Sequence, residues 1–276
     1  MEQVRTSDIA TERDPGAPLL REDQGPVAVL TLNRLEARNC LSQNLLAALH
    51  AAIAEIGGSD AVRAIVITGA GSAFSSGHDL KELSSHRTDP DRGKAYFAKI
   101  MDDCSRMMLS IVRSPKPVIA AVNGIATAAG CQLAATCDLA VASQDARFAT
   151  PGVNIGLFCS TPMVALSRNL SRKAAMEMLL IGDMVGANEA KELGLVNRVV
   201  RPDETVNVAV ELGRKIAEKP KATLKIGKDA FYRQLEMPLE EAYAYASAVM
   251  VENMLHEEAK EGIGAFLEKR EPRWPR

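Results

Sequence analysis

The chain alternates short, continuously apolar runs with longer stretches in which apolar side chains recur every three or four positions. The run VAVLTL (Val27–Leu32) is short and rich in β-branched residues, so it predicts a buried strand. Leu45, Leu46, Leu49 and Ile53 then repeat at helical spacing behind Ser42, a suitable N-cap, and predict a helix over 42–56. The alternation continues with a strand over 64–68, a helix over 91–113 and a strand over 118–122 introduced by Pro115 and Pro117. A helix over 128–135 and a strand over 139–142 follow. Strands that are apolar on both faces need helices on both sides, so the pattern predicts an α/β body. Beyond Thr161 the period is helical: 163–169, 172–181, 187–193, 204–218, 222–234, 239–254 and 259–269, with Pro220 and Pro238 as punctuation.

Three segments result: a polar arm over 1–25, an α/β core over 26–200 and a helical region over 201–276. The arm mixes Glu2, Asp8, Glu12 and Asp14 with Arg5 and Arg13 and has no long apolar segment. It therefore fits neither a secretory signal nor an acid-poor transit peptide, and a poorly ordered extension is expected. In the helical region Tyr243, Ala246, Val249, Met250 and Leu255 form an apolar stripe that must be covered by the body of the chain or by another subunit. We expect a homo-oligomer.

At 276 residues and 47% apolar content the chain can bury a large core. Its 33 basic and 35 acidic residues leave a net charge of −2, which argues against nucleic-acid or anionic-membrane binding. No apolar run reaches the roughly 18 residues of a membrane span, so no membrane insertion is expected. The five cysteines lack C-x-x-C spacing and sit in apolar or small-residue runs, which suits reduced, buried thiols and a cytoplasmic location. The four histidines show no metal-ligand spacing, and no metal is expected.

The chemistry is concentrated in two small-residue loops, AFSSGHDLKEL and VNGIATAAGCQLA, each running from an apolar strand towards a helix. Such a junction presents main-chain N–H groups that no helical carbonyl satisfies, and small residues let a substrate oxygen reach them. Two donors aimed at one point form an oxyanion hole. Nucleotide-binding alternatives fail: after Gly69 and Gly71 the third glycine of a dinucleotide fingerprint is replaced by Phe74, and no Gly-Lys-Ser/Thr follows.

These loops, together with TLNRLEARNCLS, ARFATPGVNIGL, ANEAKELGLVNRVV and EGIGAFLEKR, resemble the crotonase (enoyl-CoA hydratase/isomerase) superfamily. The wording SSGHDLKEL, ATAAGCQLA and PGVNIGLFCSTP most resembles its branch of enoyl-CoA hydratase domain-containing proteins of the third type. The resemblance implies an α/β spiral of ββα repeats and C-terminal helices that assemble as a homotrimer or a dimer of trimers. It also implies acyl-CoA thioester substrates, with coenzyme A as part of the substrate and no tightly bound cofactor. On it, the main-chain N–H groups of His78 and Ala129 are the two donors. CoA contacts fall to Arg38, Cys40, Ser76, Lys81 and, from the tail, Lys269, and Leu83, Leu133, Ile155 and Leu157 are expected to line an acyl channel.

The departure concerns the two glutamates that hold water in hydratases of this superfamily. Their positions carry Gln132 and Gly152 here. A glutamine amide does not titrate near neutral pH, and glycine has no side chain. Acid/base groups contribute about 10²- to 10⁴-fold each and an oxyanion donor about 10²- to 10³-fold, so the hole survives while ordinary hydration should not. Isomerisation or decarboxylation remains open, and the rival is a non-catalytic acyl-CoA binder. The side chains of His78, Cys131, Cys159 and Ser160 are possible substitutes for the missing carboxylates. Restoring both with Gln132→Glu and Gly152→Glu is expected to raise hydration.

Overall fold

The computed structural model describes residues 16–274. Strand β1 (Leu19–Gln24) pairs antiparallel with β2 (Val27–Leu32) across Gly25, whose φ of +66° suits the tight reversal between them. The first part of the expected polar arm lies outside the described residues. Its last part is β1, whose exposed polar side chains gave no apolar signal because an edge strand is held by main-chain bonds.

Helix α1 (Gln43–Gly58) begins at Ser42, whose hydroxyl accepts the Leu45 N–H at 3.3 Å. The chain then repeats one unit. Strand β3 (Ala64–Gly69) runs parallel to β2 and is followed by the short β4 (Ala73–Ser75), then by α2 (Leu80–Ser85) and α3 (Lys94–Arg113). Strand β5 (Val118–Val122) returns beside β3, followed by β6 (Ile125–Thr127) and α4 (Ala129–Thr136). Strand β7 (Leu139–Ser143) lies beside β5, followed by β8 (Arg147–Ala149). Helices α5 (Pro162–Asn169) and α6 (Arg172–Ile181) lead to β9 (Val185–Gly186), α7 (Ala187–Glu192) and β10 (Arg198–Val200).

The larger sheet has the order β1-β2-β3-β5-β7-β10 and the smaller β4-β6-β8-β9. After the β1–β2 hairpin, the turns β3/β4, β5/β6 and β7/β8 each lay one strand in each sheet before helices carry the chain back, which is a ββα spiral. The small-sheet strands are only two or three residues long, too short for an alternating pattern to be visible in the sequence.

Alternate residues of the large sheet serve two layers. Ala28, Leu30, Ile65, Ile67, Val118 and Ala120 belong to the core shared with α1, α3 and α4. Val27, Val29, Ala64, Val66, Ile119 and Val141 meet α8 (Thr205–Ala217) through Ala209 and Val210. Three further helices complete the chain: α9 (Lys221–Gln234), α10 (Leu239–Leu255) and α11 (Glu257–Leu267).

A mostly buried ion pair fastens α9 to the body. Lys228 Nζ donates to Asp138 Oδ2 at 2.7 Å and to the carbonyls of Ile111 and Lys116 at 2.9 Å each. Tyr232 donates to Asp138 Oδ1 at 2.8 Å, and Asp138 Oδ2 also accepts the Val118 N–H at 2.7 Å. The apolar stripe of α10 finds no such cover, since Tyr243, Met250 and Leu255 remain 70%, 60% and 80% exposed. The expectation that the chain's own body might bury it is not met. Because removing one partner leaves the other buried and unpaired, Lys228→Met should cost about 3–5 kcal/mol of stability, read as a lowered urea midpoint.

Candidate active site

The site begins with a buried asparagine. Asn39, held at φ +54°, donates through Nδ2 to the carbonyls of Ala70 and Ala73 at 2.9 and 2.8 Å and accepts the Arg34 N–H at 2.9 Å. Ser75 donates to the Asn39 carbonyl at 2.8 Å. These bonds hold the chain after β2 against the end of β4. Ser76 N–H then donates to the Arg38 carbonyl at 3.1 Å, and Leu41 N–H to the Gly77 carbonyl at 2.7 Å. Arg38, Cys40, Ser76 and His78 thereby come onto two adjacent, parallel segments.

Arg34 secures the same corner, donating to the Cys40 carbonyl at 2.8 Å, to Cys40 Sγ at 3.0 Å and to Asp79 Oδ2 at 3.0 Å. Burial works to raise the Asp79 pKa, but Arg34 and the Glu82 N–H outweigh it, and the carboxyl titrates below its ordinary value. Asp79 caps α2 by accepting the N–H groups of Lys81 and Glu82 at 3.1 and 3.2 Å. Burial pushes the Cys40 thiol up to about 11, so it is neutral at physiological pH. Neither Arg34 nor Asn39 stood out in the sequence, because a single Arg or Asn in a polar loop carries no periodic signal.

The second loop arrives from β6. Thr127 donates to the Ser76 carbonyl at 3.1 Å, and Ala128 N–H to the Ala149 carbonyl at 2.9 Å. Ala128 sits at φ +49° and ψ −119°, a conformation that costs an alanine about 1–3 kcal/mol and persists only where the surroundings impose it. The imposition comes from Gly77, at φ +93°. A Cβ there would lie 2.9 Å from the Ala128 Cβ and 3.2 Å from the Ala129 nitrogen.

The two expected donors thus stand on either side of one close contact. Among the described residues, neither the His78 N–H nor the Ala129 N–H has an acceptor. Ala129 opens α4, whose first turn has no side-chain cap, so the helix dipole adds to the attraction for a developing negative charge.

Around this point the charges are sparse. Gln132, one turn into α4, is buried with its Oε1 unpartnered among the described residues. Gly152 is also buried, and a Cβ there would lie 2.7 Å from the Leu157 carbonyl oxygen and 2.9 Å from Cys159 Sγ. The Cys159 thiol therefore fills the space a side chain at 152 requires. This packing stands against the expected repair by Gln132→Glu and Gly152→Glu together, since the second of these has no room. Burial raises the pKa values of Cys159 and Cys131, the latter to about 12. Ser160 is exposed and donates to the Phe158 carbonyl at 3.4 Å.

The His78 ring is buried, and neither nitrogen has a hydrogen-bond partner among the described residues. The Leu41 carbonyl and the Glu82 carboxylate lie nearby without hydrogen-bond geometry to it. Burial, only partly opposed by these neighbours, pushes its pKa below the ordinary value and keeps the imidazole neutral.

The other expected contacts divide. Lys81 is exposed on the first turn of α2, beside the pair of segments that carries Arg38 and Ser76. Lys269 follows α11, and no described hydrogen bond or ion pair joins it to those segments. Leu133 is fully buried in the core and Leu83 packs against it, whereas Ile155 and Leu157 are exposed.

Residues 22–276 match the model of the enoyl-CoA hydratase/isomerase family. The chain belongs to this family. Among its enoyl-CoA hydratase/isomerase relatives are the proteins named "Enoyl-CoA hydratase domain-containing protein 3, mitochondrial" from Rattus norvegicus and Homo sapiens, 43% and 44% identical. The matches cover 95% of this chain in both cases, and 86% and 85% of the respective relatives. A crystal structure of an enoyl-CoA hydratase from Mycobacterium smegmatis is 52% identical with a TM-score of 0.88, covering 93% of this chain and 98% of that one. The human domain-containing protein 3 structure is 44% identical with a TM-score of 0.88, covering 93% and 100%. The names of the mammalian relatives give the expected cytoplasmic location no support. No described helix is long and apolar enough to cross a membrane.

Two measurements test the packing of this family site. Gly152→Ala should cost about 1–3 kcal/mol of stability, because the new methyl group meets a carbonyl and a thiol, read by thermal or urea denaturation. The Gln132→Glu, Gly152→Glu double variant should gain no hydratase activity on crotonyl-CoA, because a side chain at 152 meets the Leu157 carbonyl as well as the Cys159 thiol.

Proposed function

We propose that this protein processes acyl-CoA thioesters by stabilising an enolate between the main-chain N–H groups of His78 and Ala129, without the paired glutamates that hydration requires. The observation that supports the reading is the close packing of Gly77, next to His78, against Ala128 and the Ala129 nitrogen, with neither the His78 nor the Ala129 N–H partnered among the described residues and no carboxylate at positions 132 and 152. A thioester oxygen placed there accepts both donors, and they strengthen as negative charge develops on it. The interaction needs no proton transfer of its own.

Isomerisation or decarboxylation suits this equipment better than hydration. In decarboxylation, the bond from the α-carbon to a carboxylate breaks, its electron pair passes to the thioester oxygen, and carbon dioxide leaves. In isomerisation, one proton leaves the α-carbon and one is added at the γ-carbon. Neither route has to position and activate a water molecule against the double bond.

The CoA portion is assigned to the surface made by Arg38, Cys40, Ser76 and Lys81. Arg38 and Lys81 supply exposed cations for the phosphates, and the paired segments supply main-chain groups. Lys269 can join them only from the tail, and a tail from another subunit is compatible with its placement. The exposed apolar face of α10 supports assembly as a homotrimer or a dimer of trimers.

The test is turnover by mass spectrometry on crotonyl-CoA, a 3-enoyl-CoA and a malonyl-type CoA ester. Hydration should fall about 10²-fold or more below that of a hydratase with both carboxylates, while one of the other two esters is converted. Hydration at ordinary hydratase rates would overturn the reading of Gln132 and Gly152. Tight CoA binding with no turnover on any ester would replace the enzyme with a binding protein. Independently, the ¹⁵N-labelled amides of His78 and Ala129 should shift more with acyl-CoA than with CoA alone.

A further inference from the structure

We propose that the imidazole of His78, whose two ring nitrogens are buried without a partner among the described residues, is the acid/base group of this site, moving a proton between the α- and γ-carbons of a β,γ-unsaturated acyl thioester. The inference rests on the enolate reading above and names the side chain that completes it.

The argument is one of elimination among the groups the fold brings to the two loops. Gln132 does not titrate, and Gly152 offers nothing. The thiols of Cys131 and Cys159 and the hydroxyl of Tyr96 are held protonated by burial, Tyr96 at about 12, so none is a resting base. Asp79 is committed to Arg34 and to the cap of α2. Glu82 accepts the Gln43 N–H at 3.1 Å. His78 alone combines a neutral, basic nitrogen with no partner for either ring atom.

A buried donor or acceptor left unpaired costs about 1–3 kcal/mol, so an imidazole with both nitrogens in that state is poised for a group that arrives with the ligand. Its position is constrained as well. The His78 main-chain N–H is one of the two donors, so its Cα stands beside the thioester oxygen and its ring belongs to the same small region as the α-carbon. The Glu82 carboxylate is near enough for its charge to favour the imidazolium form once a proton has been taken.

The step balances without another reagent. The α-carbon C–H bond breaks, its proton goes to a ring nitrogen, and its electron pair passes through the carbonyl carbon to the oxygen held by the two amides. The enolate then returns its electrons. A C–H bond forms at the γ-carbon with the proton from the imidazolium, the double bond moves into conjugation with the thioester, and His78 is neutral again.

The experiment exploits the fact that the oxyanion donor is main chain and survives any substitution of the side chain. Exchange of the α-protons of butyryl-CoA with deuterated water is followed by mass spectrometry for the wild type, His78→Ala and His78→Gln. The wild type should exchange. Both variants should lose about 10²-fold in exchange rate while their dissociation constants for butyryl-CoA stay within about 3-fold, the magnitude expected for an acid/base group as opposed to a binding contact. If either variant folds poorly, the wild-type protein still answers: its His78 ring ¹⁵N signals should shift with butyryl-CoA and not with CoA. Exchange that persists in the variants, or ring signals blind to the acyl group, would overturn the assignment to His78 and leave the two-amide hole intact. A wild type that binds butyryl-CoA without exchanging its α-protons would also overturn the assignment to His78, and the enolate reading would then stand or fall separately on conversion of the malonyl-type ester.

Discussion

The approach of Gly77 to Ala128 is the constraint on which the site depends. With no side chain at 77, the chain leaving β4 passes within van der Waals contact of the chain entering α4, and nothing larger than hydrogen fits between them. The same approach holds Ala128 in a backbone conformation that alanine avoids. Ala129 therefore starts its helix with its nitrogen close to Gly77, at the edge of the His78 segment. Bonds on each side fix the arrangement: Thr127 to Ser76 between the loops, Ala128 to Ala149 behind the second, and Leu41 to Gly77 behind the first. On the enolate reading proposed above, the two donors are preorganised, because the fold has already met the cost of placing them.

What surrounds the donors is a consequence of packing as well as of residue choice. At position 132 a glutamine keeps the length of a glutamate and loses its charge. At position 152 the change goes further, because Cys159 and the Leu157 carbonyl occupy the room that a side chain would take. Position 152 thus has no room for a carboxylate as the chain packs here. The remaining groups are neutral: two amides, a glutamine, an imidazole with a depressed pKa and thiols held protonated. Such a set polarises a carbonyl well and activates water poorly.

The rest of the molecule supports this pair of loops from two directions. The ββα spiral brings the ends of β4, β6 and β8 side by side in one small sheet, so segments distant in sequence meet at the site. The ion pair of Lys228 with Asp138 fixes α9 to the turn between α4 and β7, and so sets where the terminal helices leave the body. Those helices carry an apolar face that a single chain leaves bare, which links the stability of the tail to whatever assembly covers it.

By itself the sequence determined the α/β core, most of the helices and the identity of the two loops. It did so because buried strands and amphipathic helices write their periods into the order of side chains, and small residues mark where main chain must be approached closely. The polar edge strand β1, the short strands of the small sheet and the roles of Arg34 and Asn39 stayed hidden, since main-chain pairing and single hydrogen-bonding side chains leave no period. Tertiary structure alone decided that Gly77 packs against the chain at Ala128 and Ala129, that the Leu157 carbonyl and Cys159 close the space at Gly152, that both His78 ring nitrogens are buried without a partner among the described residues, and that the α10 stripe is left uncovered. Each of these is a distance between residues far apart along the chain or a matter of what fills a volume, and pattern along a chain fixes neither.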